Sequence, residues 1–193
     1  MKYLILRTEA TNGACQLRAI DNVPRDHRLK VGVSCIEGFP DDASFTMNET
    51  FPDDIRLVDS LANTSSLLVV SARFKAALES TPGALFQNEV LPVKIINHRG
   101  RTEKAPYYVI NQLNHPPCLD EKKSKGSRSP INPAIFQFMK KMVLDPALIP
   151  AELMLFRPAQ YRRYPLVRAD LAEALGKLEL TGFELREIAG YEF

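Results

Sequence analysis

The sequence has no tryptophan, and no apolar run approaches the roughly 20 residues of a membrane-crossing helix. The apolar stretch within Met1–Arg7 is too short for a secretory signal. Cysteine is scarce and odd in number: Cys15, Cys35 and Cys118, without regular spacing. That argues against a disulfide framework and fits a reducing compartment, so the expectation is a soluble, cytoplasmic protein. Neither form of Gly-rich phosphate loop is present, nor a Gly-x-Ser-x-Gly elbow, nor His-Glu-x-x-His. These absences remove the best-marked nucleotide-binding, hydrolase and metalloprotease classes. No catalytic residue, cofactor or metal site is expected.

What is there is an ordinary globular mix. The chain has 193 residues, 45% hydrophobic and 25% charged, and a chain of this length buries roughly 70% of its unfolded surface without a staple. Fourteen prolines break the chain into short segments, which favours strands and loops over a long-helix bundle. The net charge of +2 is unevenly spread. Between Val31 and Ile55 stand Glu37, Asp41, Asp42, Glu49, Asp53 and Asp54, with no Lys or Arg among them. Beyond Arg99 basic residues outnumber acids. Such asymmetry either steers a charged partner or is a pair of solvated surfaces.

Alternation and turn residues predict strands at Lys2–Arg7, around Gln16–Ile20 and Leu29–Cys35, at Leu67–Val70, over Leu85–Ile96 with a bend at Pro92, and at Tyr107–Leu113. Further strands are predicted at Leu153–Arg157, Leu166–Val167 and Phe183–Ile188. Ser71 is a good N-cap for a helix that places Phe74, Ala77 and Leu78 on one face, stopped by Thr81-Pro82-Gly83. A second helix over Ala169–Lys177 would bury Leu171, Ala174 and Leu175. Asn97–Ala105 reads as a hairpin loop, Asp120–Pro133 as the clearest flexible loop, and Ala134–Leu144 as helix or strand. A shift of 97 residues superposes Val70 on Val167, Ala72 on Ala169, Leu78 on Leu175 and Phe86 on Phe183. This suggests two similar β-α-β units. The fold class expected is α+β, with mixed or antiparallel sheets and a few short helices. An N-terminal β- and loop-rich segment, residues 1–60, would pack with a core of residues 61–193.

Candidates for chemistry are few. His115-Pro116-Pro117-Cys118 could chelate, but a structural zinc needs four ligands and no second chelating pair is visible in Cys15, His27, Cys35 or His98. Cys118 with His98 or His115 would be a nucleophile pair only if they met in space. The basic run Lys122–Arg128 has no aromatics for base stacking. Arg157, Tyr161, Arg162, Arg163 and Tyr164, with Arg168, concentrate the residue types enriched at protein–protein hot spots.

Four stretches carry a family resemblance: Leu67–Glu79 (LLVVSARFKAALE), Tyr107–Asp120 (YYVINQLNHPPCLD), Met142–Arg157 (MVLDPALIPAELMLFR) and Leu166–Ile188 (LVRADLAEALGKLELTGFELREI). In order and spacing they resemble immunity protein family eleven of bacterial polymorphic toxin systems, originally a domain of unknown function. The resemblance implies a small α+β protein that binds and neutralises a cognate toxin encoded beside it, with no catalytic residues to carry over. Partner-binding candidates are then the acids Glu37, Asp41, Asp42, Asp53 and Asp54, and the segment bearing Arg157, Tyr161, Arg162, Arg163 and Tyr164. The competing readings are a nucleic-acid-associated protein using the basic C-terminal half and an enzyme of unrecognised class using Cys118.

Overall fold

The computed structural model describes residues 1–191. In chain order the elements are β1 (Tyr3–Thr8), β2 (Leu17–Asp21), α1 (His27–Lys30), β3 (Ser44–Met47), β4 (Ser60–Leu61), β5 (Leu68–Ser71) and α2 (Ala72–Ser80). Then come β6 (Asn88–Ile96), β7 (Tyr107–Gln112), β8 (Lys125–Arg128), β9 (Phe136–Lys141), β10 (Leu155–Phe156), β11 (Leu166–Arg168), α3 (Ala169–Gly176) and β12 (Phe183–Glu187). A single 3-10 turn covers Pro146–Leu148. The class is α+β. One sheet runs β2-β3-β6-β7-β5-β4, another β10-β11-β1-β12, and β8-β9 is a separate hairpin. Only β3 and β6 pair in parallel among these named strands.

The two segments matched by the 97-residue shift take the same topology. β5 leads through α2 to β6, and β7 lies between the two strands, antiparallel to both. β11 leads through α3 to β12, and β1 lies between them, antiparallel to both. The registers correspond too. Val70 faces Tyr108 and Ser71 faces Tyr107, while Val167 faces Leu4 and Arg168 faces Tyr3. Each unit is a parallel strand pair split by a strand from elsewhere in the chain. The two helices touch.

Strand alternation then divides the interior. Tyr107 and Val109 join Leu17, Phe45 and Ile95 in one core. Their equivalents Tyr3 and Ile5 join Met139, Phe156 and Leu166 in another. The intervening residues, Ile110 and Leu6, meet in a shared core with Phe74, Leu78, Leu171 and Leu175. The helices belong where they are because each has one apolar face. Phe74, Ala77 and Leu78 are buried on α2, and the Ser71 hydroxyl accepts from the Phe74 N–H at 3.2 Å, a cap worth about 1 kcal/mol. On α3 the buried set is Leu171, Ala172 and Leu175, so Ala172 replaces the expected Ala174.

Three expected elements change. Leu29–Cys35 is not a strand: α1 ends at Lys30, and Gly32 turns at φ +66°, where a Cβ would overlap the His115 ring and the Gln112 carbonyl. Asp120–Pro133 is not one flexible loop. Lys125–Arg128 pairs antiparallel with Phe136–Lys141, because Gly126 lets the β9 backbone approach closely and the Arg128 guanidinium lies 3.8 Å over the Phe136 ring. The predicted Leu85–Ile96 strand starts only at Asn88, after Gln87 at φ +52°. Pro92 is tolerated because β3 covers β6 only from Lys94 to Ile96.

Candidate functional site

The acidic segment is held in place by a carboxylate outside it. Glu89, in β6, shares the buried register of Leu91, Val93 and Ile95 and is 7% exposed. Its oxygens accept from the Ser34 hydroxyl, from Cys35 N at 2.9 Å, from Ile36 N at 3.4 Å and from Asn111 Nδ2 at 2.8 Å. Burial would raise its pKa, but the bonds from Ser34, Cys35, Asn111 and Ile36 outweigh that and hold the carboxyl below its ordinary value of 4.5. The turn after α1 is thus clamped to β6 and β7.

From Val31 to Ile55 the chain exposes large apolar side chains. Val31, Val33, Ile36, Phe51 and Ile55 are all exposed, with Ile36 and Ile55 at 62%. Val31, Val33 and Ile36 precede Glu37, and Phe51 and Ile55 flank Asp53-Asp54. Glu37, Asp41, Asp42 and Asp53 are exposed and Asp54 is half-buried. Among the described residues none of these five acids forms an ion pair; Glu49 does, with Arg18 at 3.7 Å. The acids form two groups, since Asp41-Asp42 lead into β3 and Asp53-Asp54 follow its far end.

The basic segment is only partly exposed. Arg157 is only 6% exposed and Tyr161 only 2%. Arg157 Nε donates to Gln112 Oε1 at 2.5 Å and Nη2 to the Ser66 carbonyl at 3.3 Å. Burial, and then the nearby Arg162 charge, lower its pKa to about 10. Tyr161 packs against Tyr164 at 6.2 Å, and Tyr164 against Tyr191 at 6.0 Å. Arg162 is half-buried and donates from Nη1 to the Val31 carbonyl at 2.8 Å, so it ties this segment to the acidic one. Arg163 is exposed. Arg168 is elsewhere, bonded to Asp170 at the start of α3.

The Cys118 thiol is fully buried, and burial pushes its pKa up to about 12, the opposite of an activated nucleophile. The His115 ring, through Nδ1, is bonded to the Arg157 carbonyl at 3.2 Å. Burial and then the Arg162 charge hold its pKa below the ordinary value. Among the described residues no group of three or more His, Cys, Asp or Glu is placed to hold a metal ion, and no helix is long and apolar enough to cross a membrane.

The chain is an α+β protein in which Glu89 clamps the turn after α1 to β6 and β7. The sequence profile described as Immunity protein family (Imm11) matches residues 15–190, and the chain belongs to that family. A search of curated proteins finds no significant match.

Sequence reading missed Glu89, Gln112 and the role of Gly32. A signal for Glu89 existed: in Asn-Glu-Val-Leu-Pro-Val-Lys-Ile-Ile it falls in step with the apolar positions. Arg157 carried no comparable mark.

Proposed function

We propose that the protein binds a cognate toxin stoichiometrically and neutralises it in the cytoplasm, without chemistry of its own, through the face formed by Val31–Ile55. Membership of an immunity family supports the role. The observation that carries the surface is the exposed apolar set Val31, Val33, Ile36, Phe51 and Ile55 in one segment with Glu37, Asp41, Asp42, Asp53 and Asp54, which have no ion-pair partner among the described residues. Apolar anchors within a charged rim are the composition of a protein interface, and the sign of the charge fits a basic toxin surface. An interface of about 800 Å² per partner would suffice. The three free cysteines suit a reducing compartment.

The test is binding of the adjacent-gene toxin to the wild-type protein and to a variant carrying Asp41→Lys, Asp42→Lys, Asp53→Lys and Asp54→Lys. Wild type should form a 1:1 complex. The variant should bind about tenfold more weakly or worse, mainly through a slower, less salt-sensitive association. An unchanged affinity and salt dependence would refute the acidic surface. Absence of any wild-type complex would refute the toxin-binding role itself.

A further inference from the structure

Two cavities meet at Arg157. One, about 260 Å³, is lined by Arg7, Asn63, Ser66, Arg157 and Arg163 among others. The other, about 360 Å³, is lined by Lys30, Thr64, Ser65, Ser66, Arg157, Arg162 and Arg163. Neither lining contains an Asp or Glu. Lys30 and Arg7 have counter-ions outside the cavities, Asp26 at 3.2 Å and Glu184 at 3.7 Å. No carboxylate lies within ion-pair distance of Arg157, Arg162 or Arg163 among the described residues. Arg162 Nε is buried with no acceptor among them. Arg157 Nη1 donates none of the bonds that Nε and Nη2 make.

A buried guanidinium is normally matched by an anion, because taking a charge out of water costs several kcal/mol otherwise. Here the buried Arg157 and the half-buried Arg162 have none, and the exposed Arg163 lines the same cavity. Gln112 and Ser66 offer Arg157 only neutral acceptors. Neighbouring hydroxyls of Thr64 and Ser66 add donors that a compact oxyanion could use.

From this geometry we infer that the cavity lined by Arg157, Arg162 and Arg163 binds a phosphate group, as a dianion held by the three guanidinium groups with the Thr64 and Ser66 hydroxyls. Three uncompensated cations match a dianion better than a single carboxylate, and the planar guanidinium fork suits phosphate oxygens. A cavity of about 360 Å³ has room for a terminal phosphate. The inference does not depend on toxin binding.

The test is calorimetric titration of the full-length protein with inorganic phosphate, the ionic strength being held constant with sodium chloride. Saturable binding in the millimolar range or tighter is expected. Arg163→Gln, at an exposed position, and Arg162→Gln should each weaken it by about tenfold or more. Should Arg157→Gln fail to fold, Arg163→Gln still decides. A nucleoside 5′-monophosphate should compete with phosphate. A single-stranded oligonucleotide with only internal phosphodiesters should not. No saturable binding, binding indifferent to Arg163→Gln, or competition by the oligonucleotide alone would each overturn the assignment.

Discussion

Replacing Glu89 by Gln keeps the shape of the clamp and removes its charge. Oε1 can still accept from Ser34 and Ile36, but the new amide nitrogen meets two donors, Cys35 N and Asn111 Nδ2. Two bonds to a charged acceptor, at about 1.5–3 kcal/mol each, set the scale. Water reaching the released turn recovers part of this, leaving a loss of about 2–4 kcal/mol. Urea unfolding followed by far-UV dichroism should show the lowered midpoint, and hydrogen exchange at Cys35 and Ile36 should speed up. The pH dependence follows from the depressed pKa. A carboxyl held below 4.5 in the folded protein stabilises fully above that value, and the contribution is lost as pH falls through the folded pKa. The gap between wild type and Glu89→Gln should therefore be constant near neutrality and close in acid. An unchanged midpoint with unchanged exchange at residues 35 and 36 would refute the clamp.

Gly32→Ala should be worse than a surface change. It combines φ +66° with overlap of His115 and the Gln112 carbonyl, so a loss of about 2 kcal/mol or more is expected in the same unfolding assay. Iodoacetamide at mildly alkaline pH should leave Cys15 and Cys118 unmodified in the native protein and modify them after unfolding, since both are buried with pKa values pushed up to about 12. Rapid native alkylation of Cys118, read by mass spectrometry, would revive a thiol mechanism.

Local rules made the two helices legible. Ser71, Phe74 and Leu78 in one segment, and Leu171 and Leu175 in the other, each combine a period with a boundary. The β8 strand was not legible, because Lys125-Gly126-Ser127-Arg128 has the composition of a linker and becomes a strand only against Phe136 and Phe138. Arg157 was grouped with Arg162 and Arg163 by nearness in sequence. Its burial depends on Gln112 and Ser66, which sequence spacing does not bring near. The acidic segment was visible as charge, whereas the clamp that shapes it comes from β6 and β7.

Strand β1 sits in the middle of its sheet, between β11 and β12. Leu4 lies opposite both Val167 and Glu187. During synthesis this strand is made well before its two neighbours, which follow more than 150 residues later. Its sheet closes only once Glu187 has been added. Until then Ile5 and Leu6, fully buried at the end, have no native partner strand. The early chain must keep that segment out of wrong pairings, and the long closure makes this sheet a slow step of folding.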